Sequence, residues 1–350
     1  MIDPLAHFIF VLAAYLLFCL TGRGSAAPLL TVLGVAFTLI FAPVATLWIA
    51  LTVAEAAALF LMLRDKPRDS GWRQYGPYLV LPNFLFVDLH PLGFGLNVET
   101  LAISFSTIRI FMTTKQLLQS RKAMERKDAW WIAVAAFYLP ALMVGPVFSG
   151  TDLKKQAAEP EPQQVTLRDY RMVLQGLVLA ILVNPGFGLL KDMVVQPEHL
   201  GAPDWTAAPL YFLQLFTAFW GQSLIAEHTS RFFGLRLPVN FDAPWKAANI
   251  REFWSRWHRS MAEFVMQYIF LPLNLKGLSP RTATLSAFLF MGLWHNLTWG
   301  YALWGAAHGL LLGWWPKRDF GGATGIAVRI VTWAVVIGLS YIANFYGKTA

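Results

Sequence analysis

Between Pro28 and Leu63 the chain carries one charged residue, Glu55, in a run otherwise built mainly from Leu, Ala, Val, Ile, Phe and Thr. A membrane-spanning helix needs only about 20 apolar residues, so this run is too long for one crossing. Pro43 cannot supply an interior helical hydrogen bond, and it marks the place where the run divides into two helices. Chain in lipid must satisfy its own backbone polar groups, which points to helices for every such segment.

The rest of the sequence has the same character. Hydrophobic residues make up 56% and charged residues 14%, against about 25% charged in a typical soluble domain. The mean hydropathy is +0.49. The fold class is therefore all-α, a polytopic integral membrane protein. Its formal charge of +8 does not point to nucleic acid, because the basic residues sit in short clusters between apolar segments, as in loops retained on the cytoplasmic side. The single cysteine, Cys19, lies in the first apolar segment, so the chain can assemble neither a disulfide framework nor a thiolate metal site.

Taken in order, Leu5–Leu20 and the following T-G-R-G-S-A-A-P have a superficial likeness to a signal peptide, but the leading M-I-D-P has an acid and no Lys or Arg; the reading is a retained, short membrane helix. Arg64–Arg73 is a basic loop. Tyr75–Asn97, broken by Pro77, Pro82, Pro91, Gly93 and Gly95, suits re-entrant or interfacial chain. Val98–Leu118 and Ala129–Phe148 read as spans around the basic loop Arg121–Lys127. Thr151–Asp169, with Glu159-Pro160-Glu161-Pro162, reads as a polar loop. Further spans are Arg171–Leu190, Pro209–Ile225, Thr282–Trp299, Tyr301–Trp315 and Ile326–Phe345, with a loop carrying Pro197, His199, Pro203 and Asp204 after the first of them. Between Glu227 and Arg259, arginines interleave with Phe and Trp, a pattern for helices lying at headgroup level. The sum is about 9–11 transmembrane or re-entrant helices around a central cavity, plus interfacial helices. They form a single membrane-embedded domain over residues 1–350. No internal repeat suggests the inverted halves of a transporter.

Three histidines stand out in this apolar setting: His258 in R-E-F-W-S-R-W-H-R-S, His295 in G-L-W-H-N-L-T-W-G and His308 in L-W-G-A-A-H-G. A histidine at or below headgroup depth is costly unless it is paired or lines a watery path, so each is a candidate functional residue. At helical spacing His258 shares a face with Arg251, Trp254 and Met261. His308 lies beside Gly305, Gly309 and Gly313, whose spacing lets another helix approach closely, and it reads as bonding across that contact. No H-x-x-x-H or H-E-x-x-H occurs, so no zinc site is expected. Arg251, Arg256 and Arg259 suit either phosphates of a ligand or anionic lipid; the reading favours a ligand for Arg256 and lipid for Arg259.

The chain resembles the membrane-bound O-acyltransferase family, in particular the bacterial branch that contains alginate O-acetyltransferase and the D-alanyl transfer protein of teichoic acids. The resemblance runs through A-I-S-F-S-T at 102–107, F-Y-L-P-A-L-M-V-G-P at 137–146 and R-F-F-G-L-R-L-P-V-N-F-D-A-P-W at 231–245 to the motifs of His258 and His295. It implies a family-like core over 98–350, preceded by N-terminal helices over 1–97. It also implies transfer of a short acyl group from a thioester, acyl-CoA or an acyl-carrier protein, to a hydroxyl of a cell-envelope polysaccharide or of another secreted or lipid acceptor. No permanently bound cofactor is implied. The expected setting is a bacterial inner membrane, with lipid, the donor and a soluble or periplasmic protein of an envelope-modification system as partners.

For that chemistry His295 is the first choice as general base, since the acceptor hydroxyl must lose its proton as it attacks. Trp294 and Trp299 are expected to exclude water around it at mid-membrane depth. His258 either positions the acceptor or stabilises charge on the thioester carbonyl, or sits as an interfacial histidine. Asn296 either orients substrate or ends a helix. Trp254, Arg251 and Arg256 complete the expected substrate contacts, with His308 at their edge. Where the branch commonly has D-F-S-G-Y-S-D, this chain has A-F-W-G-Q-S-L at 218–224, and it ends sooner after the last histidine motif. A family member degenerated to a membrane scaffold thus stays open, as does a transporter whose histidines relay protons.

Basic excess beside short loops places Arg121–Lys127 and the arginines around Arg251 on the cytoplasmic side. Single cysteines introduced at either place, in a Cys19→Ser background, should resist an impermeant thiol reagent added outside intact cells. Labelling of either cysteine from outside would reverse the orientation.

Overall fold

The structure is a computed structural model that describes residues 4–22, 26–85, 98–121, 124–159, 164–194, 205–316 and 320–347. Pro91, Gly93 and Gly95, the loop of Pro197, His199, Pro203 and Asp204, and Pro160 to Pro162 lie outside these residues. Among the described residues there is no strand. Four helices among the described residues are long and apolar enough to cross a membrane: Pro4–Thr21, Pro43–Leu63, Leu167–Val194 and Gly322–Phe345. The chain is an all-α integral membrane protein. It divides into two compact units, residues 1–177 with 221–238, and residues 178–220 with 239–350.

In the first unit, α1 (Pro4–Thr21), α2 (Ala26–Phe41) and α3 (Pro43–Leu63) are apolar helices. The break falls at Pro43 as the sequence implies: Pro43 opens α3, where its missing N–H costs nothing because the first turn has no intrahelical acceptor. Glu55, the one charge in α3, accepts from the Asn83 amide at 2.6 Å, and Trp48 Nε1 donates to the Asn83 carbonyl at 3.0 Å. Asn83 belongs to a 3₁₀ segment, Gly76–Leu85, that follows the short α4 (Gly71–Tyr75).

The next helix, α5 (Val98–Gln119), organises an irregular stretch. Ala129–Phe148 is not the span its apolar run suggests. Helix α6 covers only Trp130–Ala136, and beyond a 3₁₀ turn at Leu139–Ala141 the chain up to Ser149 is non-helical although it is buried. Pro140 and Pro146 interrupt the ladder, and the carbonyls this frees are answered from neighbouring helices. Ala136 accepts from Ser106 at 2.8 Å, Leu139 from His7 at 2.7 Å, and Ala141 and Pro146 from Arg109. Arg109 is fully buried, with its guanidinium 4.8 Å from the Phe148 ring centroid.

Part of the expected loop 151–169 is also helical. Helix α7 (Gly150–Ala157) starts at Ser149, whose hydroxyl accepts from the Asp152 N–H, and a side chain at position 150 would collide with the Trp131 carbonyl. Helix α8 (Leu167–Val178) continues through a π segment, Leu179–Val183, into α9 (Asn184–Val194). Buried Asp169 accepts from the Thr166 N–H at 2.8 Å and from His228 Nδ1 at 2.7 Å. His228 lies on α10 (Ala208–Phe232), which contributes residues to both units.

The second unit holds α11 (Ile250–Arg256), α12 (Arg259–Val265), a π segment Met266–Phe270, α13 (Leu271–Leu275), α14 (Pro280–His295), α15 (Trp299–Trp314) and α16 (Gly322–Gly347). Each π segment ends two residues before a proline, Val183 before Pro185 and Phe270 before Pro272. Asn184 N–H bonds to Leu179 and Leu271 N–H to Met266, each five residues back. Widening the turn relieves the clash that Pro185 and Pro272 would make with the carbonyl four residues earlier.

The glycine face of α15 packs on α14 as its spacing implies. A Cβ at Gly305 would lie 2.5 Å from the Phe288 carbonyl oxygen, and one at Gly292 would lie 2.3 Å from that of Tyr301. At Gly313 the nearest atom would be an ordinary 3.4 Å away. Gly305→Ala should therefore destabilise the folded protein by about 1–3 kcal/mol through forced separation of the helices, while Gly313→Ala should leave it unchanged. Thermal unfolding in detergent would compare the two, and equal midpoints would refute the close packing.

Candidate active site

The segment Pro238–Ser260 is held against itself by backbone bonds: Asp242 N–H to the Arg256 carbonyl at 3.0 Å, and Arg259 N–H to the Asn240 carbonyl at 2.9 Å. To meet them the chain leaves α11 at Trp257, which is extended, and passes through His258 in the left-handed conformation, φ 46° and ψ 50°. That conformation costs a non-glycine residue roughly 1–2 kcal/mol. The continuous helical face expected from Arg251 to Met261 is consequently broken at His258. Met261 is buried elsewhere, but Arg251, Trp254 and His258 still meet on the wall of one cavity.

This cavity measures about 1030 Å³. Its lining is mostly apolar: Ala262, Val265, Met266 and Phe270 from α12 and the π segment, and Ala287, Phe288 and Met291 from α14. Polar groups come from Ser255, Thr284 and two exposed arginines. Arg251 donates to the carbonyls of Leu312 (3.2 Å) and Trp315 (3.3 Å), and Arg281 lies over the Trp314 ring at 5.4 Å. The buried indole N–H groups of Trp254 and Trp315, both in the lining, have no hydrogen-bond partner among the described residues.

His258 is 4% exposed. Its Nδ1 lies 2.8 Å from Asn240 Oδ1, which also accepts from Ser260 Oγ at 2.8 Å, and the Phe219 ring stands edge-on to the imidazole at 4.6 Å. Asn240 was not singled out by sequence reasoning, although it lies inside the V-N-F-D motif. Arg281 also escaped notice, since nothing in S-P-R-T distinguishes it from an ordinary first-turn residue.

His295 ends α14. Its ring packs on Trp294 (4.8 Å), Tyr301 (5.8 Å, nearly parallel) and Trp304 (5.7 Å, edge-on), and its side chain is exposed. Trp294 is buried, whereas Trp299 is 89% exposed and does not enclose the ring; Trp294, His295, Asn296 and Trp299 are not on the wall of this cavity. Asn296 closes the helix through its own N–H, which donates to Gly292 at 3.2 Å. His295 is near enough to His258 for their charges to interact, so protonating one opposes protonating the other. His308 is fully buried, donates from Nδ1 to the Trp304 carbonyl at 2.9 Å and stands edge-on to Trp254. It supports the cavity wall from behind without lining it.

Arg256 is not on the cavity wall; Glu252 takes its Nε at 3.0 Å and its Nη2 at 2.8 Å, with the Asp242 carbonyl at 3.1 Å. Glu252 also accepts from the Ala248 N–H at 2.7 Å, and that bond, with the Arg256 pair, holds its carboxyl below the usual glutamate range. Arg259 approaches Asp242 at 4.0 Å. Neither Ala218 nor Leu224 lines the cavity. Among the described residues no group of His, Cys, Asp and Glu is arranged to hold a metal ion.

Residues 96–313 match the sequence model of the membrane-bound O-acyltransferase family. Similar proteins include a peptidoglycan O-acetyltransferase of Helicobacter pylori, 28% identical over 51% of this chain and 36% of its own length. A probable alginate O-acetylase of Pseudomonas fluorescens is 28% identical over 76% of this chain and 54% of its own. A teichoic acid D-alanyltransferase of Streptococcus thermophilus is 28% identical over 40% and 36%. The chain thus spans about a third to a half of the length of these relatives.

Because the Glu252 carboxyl titrates lower folded than unfolded, its stabilisation is present above the unfolded pKa and lost as pH falls through the folded one. Glu252→Gln should therefore lower the melting temperature at neutral pH, by an amount set by roughly 1 kcal/mol or less for this partly exposed pair. The difference should close on acidification. A gap that stayed constant with pH would remove the charge from the explanation.

Proposed function

Since the chain belongs to the membrane-bound O-acyltransferase family, we propose that it moves a short acyl group from a thioester, on coenzyme A or an acyl-carrier protein, to a hydroxyl of a cell-envelope polysaccharide or other secreted or lipid acceptor. The observation that carries this reading is that family motif residues Arg251, Trp254 and His258 converge on one largely apolar cavity. An acyl thioester on a flexible arm suits such a space. Its apolar parts gain from the walls, and anionic groups on the donor suit Arg251 and Arg281.

In the proposed reaction His295, whose ring is accessible, takes the proton of the acceptor hydroxyl while the hydroxyl oxygen attacks the thioester carbonyl carbon. The carbon–sulfur bond then breaks, the acyl group remains on oxygen as an ester, and the thiolate recovers the proton from the imidazolium. Proton transfer by a positioned base is worth about 10²–10⁴ in rate. His258 lies on the cavity wall, and His295, as the base, is neutral before attack. The reading places the protein in a bacterial inner membrane, with the thioester supplied from the cytoplasm by coenzyme A or a carrier protein.

His295→Ala should lower acyl transfer by about 10²-fold or more while leaving detergent-extracted folding nearly intact, because an accessible side chain is lost. His308→Ala should affect the melting temperature more than turnover. Transfer assays on purified variants with acetyl donors would decide it. A fully active His295→Ala, or a native protein inert with every donor until Ala218→Asp restores transfer, would overturn the reading, the second outcome in favour of a degenerate scaffold.

A further inference from the structure

The structure assigns Asn240 as the positioning residue that fixes which nitrogen of His258 carries the proton, so that His258 meets the occupant of the cavity as a hydrogen-bond acceptor. This rests on the acyl-transfer reading for its consequence, but the assignment itself concerns only the imidazole. Neutral imidazole has one N–H and one lone pair, and the partner of one nitrogen decides the role of the other. Asn240 Oδ1 lies 2.8 Å from His258 Nδ1 and receives the Ser260 hydroxyl at the same distance. A carbonyl oxygen has two lone pairs and can serve both donors. Nδ1 therefore carries the proton, and Nε2 is the basic nitrogen through which His258 engages a cavity ligand.

The surroundings make this arrangement rigid. Asn240 is fully buried, and its own carbonyl accepts from the N–H of Arg259, next in the chain after His258. His258 is held in a left-handed conformation, and Phe219 packs edge-on to its ring. Turning the ring would break the bond to Asn240. Of the two roles the sequence left open for His258, a neutral imidazole so held cannot donate to the thioester carbonyl oxygen. It accepts instead, from an N–H or O–H of the substrate, such as an amide of the donor's arm or the acceptor hydroxyl. Among the described residues, the charge of His295 reaches it, and Arg251 and Arg281 stand on the wall of the same cavity.

The test uses the full chain in detergent, labelled with ¹⁵N-histidine, with His258→Gln to identify the resonances of this ring. The neutral His258 should report a protonated Nδ1. Asn240→Asp, which keeps an acceptor, should preserve that signature and move protonation of the ring to higher pH, since a carboxylate favours imidazolium. Asn240→Leu should lose the signature. In transfer assays Asn240→Asp should stay within about threefold of the native kcat/KM near neutral pH, and Asn240→Leu should fall roughly 10–100-fold, a part of what a positioned proton-transfer group supplies. A protonated Nε2 in the native protein, or a preserved signature in Asn240→Leu, would overturn the assignment; the native and Asp forms decide it if the Leu variant does not fold. Altered tautomers with unchanged kcat/KM would remove the positioning role. Because the spectra need no turnover, failure of the inference is separable from failure of the proposed reaction.

Discussion

Backbone that leaves the helix in an apolar setting must find its hydrogen bonds inside the protein, and that requirement shapes both irregular stretches of this chain. From Ala136 to Ser149, buried carbonyls are met by His7, Ser106 and Arg109. Arg109 is the most demanding of these, since a guanidinium in an interior carries a large desolvation cost unless its donors are used. The two carbonyls and the Phe148 ring face supply part of the return. Arginine and non-helical backbone are therefore mutually dependent: each would be costly alone, and together they allow a bent segment where the apolar pattern reads as a span.

The same requirement accounts for what the sequence did and did not disclose. Pro43 and the glycines of α15 act through local rules, a lost N–H and a missing Cβ, so their effects could be read residue by residue. The failure at Ala129–Phe148 has a different origin. Hydropathy records that a segment is buried, and it is blind to whether a distant arginine, thirty or so residues away in sequence, has made non-helical burial affordable. Likewise α7 was hidden inside a polar tract because its start depends on Ser149 as a cap and on close approach to Trp131.

For the candidate site, residue types were legible where chemistry restricts them. A histidine or arginine among tryptophans is conspicuous, and Arg251, Trp254 and His258 do share a wall. The geometry by which they share it was not legible, because periodicity assumes an unbroken helix and His258 is left-handed. Arg256 shows a complementary point. Its charge suits a ligand, and in the structure Glu252 four residues before it is its partner. Asn240 escaped attention because an asparagine in a loop motif has many ordinary uses.

The cavity's own construction suggests why its arginines remain usable. Arg251 donates to carbonyls at Leu312 and Trp315 and Arg281 rests on Trp314, so both guanidinium groups gather at the C-terminal end of α15. Partial negative charge at a helix C-terminus attracts cations without neutralising them as a carboxylate would. Arg256, paired with Glu252 and close to Asp242, has that full neutralisation and faces away from the cavity. The division leaves positive charge beside an apolar space whose α14 wall is built from Ala287, Phe288 and Met291. In another part of the lining, Pro272 imposes the π turn at Met266–Phe270 and thereby sets how Met266 and Phe270 contribute to the wall. A proline that would break an ordinary helix is in this way part of what gives the cavity its shape.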